Sequence, residues 1–183
     1  MIVLDTPLVG LKVVESAPHR DARGAFVRLF CARELQPLLG HRQVAQINHS
    51  ITGRKGAVRG MHFQYPPNAE MKMVRCLRGR VWDVAVDVRA SSPTFLKWYA
   101  RELTPGDATM MVIPEGFAHG FQTLEPETEL LYLHTEFYDP PYEGGLRHDD
   151  PRLGIAWPLE PQDVSERDLA HPLLDCHFTG VTL

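Results

Sequence analysis

Cysteine is scarce: Cys31, Cys76 and Cys176 are scattered through 183 positions. No two stand in a C-x-x-C spacing, and an odd, dispersed set argues against a disulfide framework and for a reducing compartment. An excess of positive charge is also missing. Nineteen Lys and Arg face 23 Asp and Glu, a net charge of −4, so there is no basic field for nucleic acid and no strong acidic bias. No apolar run approaches ~18 residues, so no membrane span is expected. The stretch from Met1 to Ser16 has no basic segment followed by an apolar one, so no signal peptide is expected. The G-x-S-x-G elbow, the G-x-x-x-x-G-K-[ST] phosphate loop and the G-x-G-x-x-G turn are absent too. These absences leave a cytoplasmic, single-domain chain over 1–183, long enough to bury a core without staples.

Strand signals dominate what is present. Leu11–Glu15 and Ala25–Phe30 read as short strands around a polar turn from His19 to Gly24. Cys31–Leu39 reads as a helix stopped by Gly40. Further strands are expected at Val44–Asn48, Ala57–Gln64, Met71–Leu77, Lys97–Leu103, Ala108–Ile113, Phe117–Phe121 and Leu130–Thr135. Arg80–Arg89 is the clearest period-2 segment. Trp82, Val84, Val86 and Val88 face one way; Asp83, Asp87 and Arg89 face the other. Ser165 to Asp168 has the form of a capping box opening a short helix. Many short strands between turns predict an all-β jelly roll with a few short peripheral helices.

Four stretches carry chemistry. In Lys55–Gln64 (KGAVRGMHFQ), a fixed cation, Arg59, stands near His62, the side chain type that titrates near neutral pH. Residues three apart on an ideal strand face opposite ways. A bulge at Gly60 would bring them together, and bulges re-aim side chains beside active sites. In Ile113–Phe121, His119 shares a face with Phe117 and Phe121; a packed, satisfied histidine is as good a reading as a catalyst. Lys72, between apolar neighbours, is either a surface lysine or an ammonium held near a carbonyl oxygen. Tyr132 is either a core aromatic or a proton donor. Single cations at Arg23, Arg59, Lys72 and Arg75 could hold a diphosphate or be ordinary surface charge.

The pattern P-x-G-x-x-H at Pro114, Gly116 and His119 matches the second motif of the cupins. Metal-binding cupins pair it with H-x-H and a glutamate. Here His62-Phe63-Gln64 puts an amide in place of one imidazole, and transition metals usually need three or more protein ligands. No metal is therefore expected, with a His62/Glu70/His119 site in a metal-dependent oxygenase or isomerase as the alternative.

The chain resembles the dTDP-4-dehydrorhamnose 3,5-epimerases of the cupin superfamily. The matching text includes Asp21–Gly24, Gln46–Ser50, KGAVRGMHFQ, MKMVRC, GRVWDVAVDVR, IPEGFAHGFQTL, TEFYDPPYEGG, DDPRLGIAWP and SERDLAHPLL, in order from about residue 21 to 174. The resemblance implies a cofactor-free, homodimeric epimerase of a nucleotide-diphosphate 4-keto-6-deoxy sugar. His62 would be the general base, Asp168 the carboxylate orienting it, Lys72 the cation at the C4 oxygen and Tyr132 the proton donor on the opposite face. His119 and Arg59 would hold the diphosphate-linked sugar, and Tyr138 would stack on the base. Arg23, Gln46, Asn48, Glu143 and Arg167 would contact the nucleotide or its neighbours. Arg28 stands where the family carries a glutamate that contacts the nucleotide. Which nucleotide is bound, and whether C3, C5 or both are inverted, stay open.

Overall fold

The computed structural model describes every residue from Met1 to Leu183. A six-stranded antiparallel sheet runs in the order β1 (Ile2–Asp5), β2 (Lys12–Glu15), β10 (Thr109–Ile113), β7 (Lys72–Arg78), β12 (Thr128–His134), β5 (Gln46–Thr52). A five-stranded antiparallel sheet runs β13 (Glu143–Gly145), β6 (Val58–Gln64), β11 (Phe117–Thr123), β8 (Val81–Asp87), β9 (Trp98–Leu103). The non-consecutive order of neighbours is that of a jelly roll.

The sheets are apolar on both faces, and that dictates the layering. Between them lie Leu11, Val74, Ala85, Met111, Phe117, Phe121 and Leu130. The outer face of the five-stranded sheet (Met61, Val84, Val86, Ala118) is covered by C-terminal residues including Leu146, Leu153 and Val181. On the outer face of the six-stranded sheet, Val14, Met73, Met110 and Leu133 pack under helix α1 (Ala32–Leu39), which contributes Leu35 and Leu39. Burial on both sides is why β10 reads as a near-continuous apolar run, TMMVI. In β8 the polar alternation does not point to water. Asp83 and Asp87 are fully buried, and each is hydrogen-bonded, Asp83 to His119 and Asp87 to Arg89, Ser92 and Thr94.

Several expectations shift. The polar stretch from His19 onward is itself a hairpin, β3 (His19–Asp21) with β4 (Gly24–Phe26), whose residues are all exposed; Val27–Phe30 leaves it. β1 and β13 carry no alternation and were not expected. β5 begins and ends later than Val44–Asn48, because its polar residues Asn48, His49 and Ser50 belong to an edge strand paired along its length with β12. Arg75 is no ligand cation. It is buried, and its guanidinium donates to Leu29 O, Ala108 O and Ser16 Oγ. Burial without a carboxylate lowers its pKa to about 10.

Candidate active site

Strand β6 builds the site through a register defect. His62 pairs with His119 of β11 and Arg59 with Phe121, so three steps on β6 match two on β11. The extra residue is the bulge expected at Gly60, and it turns Arg59 and His62 toward one cavity. Only glycine fits: Gly60 has φ +110°, and a Cβ there would stand 2.6 Å from His119 O and 2.7 Å from Gly120 Cα.

The cavity, about 270 Å³, is bordered by His62, Phe63, Arg59, His119 and Phe121 from one sheet and by Lys72, Tyr132, His134, Asn48 and Ser50 from the other. Gln46, His49, Gln64, Glu70, Tyr138 and Glu143 complete its border. His62 and Tyr132 thus line one cavity from opposite walls.

Asp168 reaches His62 from the helix α2 (Glu166–Leu169). His62 Nε2 donates to Asp168 Oδ1 at 2.8 Å, and the Gly60 amide donates to Oδ2 at 3.1 Å. Only half of the capping box forms. Ser165 Oγ accepts from the Asp168 amide at 3.1 Å, while the Asp168 carboxylate is diverted to the site. Burial by itself would raise that carboxyl, but the hydrogen bonds from His62 and the Gly60 amide hold it below its usual range. An ionised carboxylate only accepts, so the proton sits on His62 Nε2 and Nδ1 is left as the basic nitrogen.

On the opposite wall, Lys72 Nζ donates to His62 O at 3.1 Å and lies 3.1 Å from Glu70 Oε1. Burial and the nearby Asp83 carboxylate push the Tyr132 hydroxyl above its usual range, so it is a neutral, proton-loaded phenol at any working pH. The His119 ring meets the Tyr132 ring edge-on, centroids 5.9 Å apart, and His119 Nε2 donates to Asp83 Oδ1 at 2.8 Å. Arg59 is exposed at the cavity and forms no ion pair, which leaves its guanidinium free for an anion. At the rim, Tyr138 Oη donates to Glu143 Oε2 at 2.8 Å, Arg167 pairs with Glu143, and Gln46 Oε1 accepts from the Tyr138 amide at 2.9 Å.

Two predicted residues, Arg23 and Arg28, lie away from this chain's own cavity. Arg23 lies in the β3–β4 turn, 90% exposed and paired with Asp21. Arg28 follows that hairpin and pairs with Glu34, itself bound to the amino terminus. The alternative metal trio is not assembled either. Glu70 is taken up by Lys72 and His134. Gln64 donates to the Asn68 and Phe137 carbonyls and accepts from the Asp139 amide, so it anchors the rim loop. The group whose ligand atoms do approach within 4.8 Å is His62, Asp168 and His171. Ser50, His134 and the carboxylate role of Glu70 were missed. His134 could have been found, since it lies two residues from Tyr132 on one strand face.

The inner cavity of this jelly roll sets an imidazole–aspartate pair opposite a neutral phenol and an ammonium group, which is the equipment of an acid–base enzyme. The family model for dTDP-4-dehydrorhamnose 3,5-epimerase matches residues 5–175. The chain is 41% identical over 177 residues to the dTDP-4-dehydrorhamnose 3,5-epimerase of Salmonella typhimurium, covering 96% of each. It superposes with TM-score 0.91 and 35% identity on a dTDP-6-deoxy-D-glucose-3,5-epimerase from Legionella pneumophila in complex with dTDP-4-keto-L-rhamnose, over 100% of this chain and 98% of that one. It is also similar to a 3'-monoepimerase from Streptomyces bikiniensis in complex with dTDP-quinovose: TM-score 0.86, 33% identity, 92% and 85% of the two chains. The chain belongs to the dTDP-4-dehydrorhamnose 3,5-epimerase family and is an isomerase, a nucleotide-sugar epimerase. No helix is long and apolar enough to cross a membrane.

Proposed function

We propose that the cavity takes a dTDP-linked 4-keto-6-deoxy hexose and inverts the carbons beside its ketone, C3 and C5. The observation that carries this reading is the shared cavity of His62 and Tyr132, with Lys72 on the Tyr132 wall bonded to the His62 carbonyl. His62 Nδ1 takes the proton from the carbon next to the ketone. The C–H electron pair moves into the carbonyl, and the C4 oxygen becomes an enolate oxygen that the Lys72 ammonium stabilises. Tyr132 then gives its hydroxyl proton to the same carbon from the other face. Exchange with solvent resets the imidazolium and the phenolate. The cycle has no net redox change, so the reaction needs no cofactor.

The unpaired Arg59 guanidinium suits the diphosphate, with His119 beside it. The half-exposed Tyr138 ring suits stacking on the base, and Gln46, Asn48, Glu143 and Arg167 border the same end. The whole chain, 1–183, is read as a single cytoplasmic domain.

A homodimer fits the surface. Ile2, Val3 and Leu4 of edge strand β1, and Phe26 (74% exposed) of the hairpin, are uncovered apolar groups that a second copy would bury. In that assembly Arg23 and Arg28, which the chain's own cavity does not use, are available to the partner's substrate. Sedimentation of the purified protein should give twice the chain mass; a monomer would remove this part.

The test of the activity is incubation in D2O with dTDP-4-keto-6-deoxyglucose, followed by NMR. Deuterium should enter C3 and C5 with inversion. Entry at C3 alone would make the enzyme a monoepimerase, and no entry from dTDP, CDP, UDP or GDP sugars would end the reading.

A further inference from the structure

Of the four histidines that border the cavity, His49 is exposed and pairs with Glu129, and each of the other three is backed by a buried carboxylate: His62 by Asp168, His119 by Asp83, and His134 by Glu70. The third pair has no part in the steps above, yet it is built with care. Glu70 and His134 are each only 9% exposed. Glu70 divides its oxygens: Oε2 accepts from His134 Nδ1 at 2.7 Å, and Oε1 lies 3.1 Å from Lys72 Nζ. Burial would raise this carboxyl, but His134 and Lys72 together hold it below its usual range, so it is ionised and accepts from both. His134 in turn lies beside the Tyr132 ring, nearly parallel to it, with centroids 5.9 Å apart and planes 16° off.

Resting on the function proposed above, we infer that Glu70 and His134 are positioning residues that hold the Lys72 ammonium and the Tyr132 phenol in register for the two proton transfers. An ammonium has three N–H groups on a flexible four-carbon stem. One is spent on His62 O and one on Glu70, which leaves the third for the substrate oxygen. Without Glu70 the ammonium keeps a single anchor. His134 and Lys72 are cross-strand partners in β12 and β7, and Glu70 lies two residues before Lys72, so one carboxylate can reach both. Tyr132 is then held between two imidazoles, His119 edge-on and His134 face-on. Without His134 that second contact is gone. A group displaced by about an ångström can cost up to about 100-fold in rate.

The experiment measures deuterium entry and inversion in one sample by NMR, with melting curves for every variant. Glu70→Gln keeps the shape and loses the charge. Its kcat for exchange and inversion should fall about 10- to 100-fold with KM within about threefold. His134→Ala should go on exchanging while its ratio of inversion to exchange drops by about fivefold or more; His134→Phe, which keeps a ring beside Tyr132, should restore the ratio. Should Glu70→Gln not fold, Glu70→Asp, which is too short to reach both partners, carries the same expectation. Wild-type kcat in the Glu70 variants, an unchanged ratio in His134→Ala, or His134→Phe no better than Ala would overturn the inference. So would losses that only track the unfolded fraction at the assay temperature. A wild-type enzyme that exchanges no deuterium would defeat the proposed function itself.

Discussion

His62 Nε2 donates to Asp168 Oδ1 at 2.8 Å although 106 residues separate them in the chain. The second Asp168 oxygen takes the Gly60 amide, so one carboxylate fixes both the imidazole and the bulge that aims it. Replacing His62 by Asn should lower kcat by about 10²–10⁴, the usual contribution of a general base. Asp168→Asn should cost a comparable factor, because an amide can offer His62 Nε2 a donor and so favour the wrong tautomer. Both are read by inversion assays on protein shown to be folded. An active His62→Asn enzyme would remove His62 from its role.

Tyr132→Phe separates the two half-reactions. Proton removal does not need the phenol, so deuterium should still wash into the substrate through His62. Inversion should fall, because the opposite face has lost its donor. A variant that inverts at the wild-type rate would assign the second proton elsewhere.

Asp168 also makes stability depend on pH. Its folded carboxyl lies below the usual value, so between the two pKa values the unfolded chain binds more protons than the folded one. The stabilisation is complete above the unfolded pKa, about 3.9, and is lost as pH falls through the lower, folded pKa. The melting temperature of the wild type should therefore exceed that of Asp168→Asn most above the unfolded pKa, and the gap should close as pH is lowered below it, through the depressed folded pKa. A gap constant through that range would show that the His62 pairing contributes nothing to folding.

Gly60→Ala should be both unstable and inactive. The added methyl meets the β11 backbone at 2.6–2.7 Å, at a φ that a side chain disfavours. Overpacking of this kind costs about 1–3 kcal/mol, roughly 2–4 °C in Tm per kcal/mol for a chain of this size. Since the bulge aims Arg59 and His62, kcat/KM should drop further than the folded fraction does. Normal activity in a folded Gly60→Ala protein would argue against the bulge as the aiming device.

Much of the site was legible because its motifs are local. Arg59, Gly60 and His62 lie within four positions, and the bulge followed from strand parity. Tyr132 and His119 could be marked but not decided, since a buried aromatic or imidazole looks the same in sequence whether it packs or reacts. The diversion of the Asp168 carboxylate from its helix cap to His62 had no local sign. Arg75 was misjudged for the converse reason: a lone arginine on a strand reads as surface charge until three acceptors from distant segments surround it.

By itself, then, the order of residues determined the all-β jelly roll, through alternation and turn chemistry, and the chemical types that could react. Only the packing of one sheet on the other decided which of them meet. That step brought His62 and Tyr132 to facing walls, tied Glu70 to both Lys72 and His134, and left Arg23 and Arg28 outside. The reason is physical: pattern acts over a few residues, whereas a cavity forms between strands far apart in the chain, where burial and hydrogen bonding are decided together.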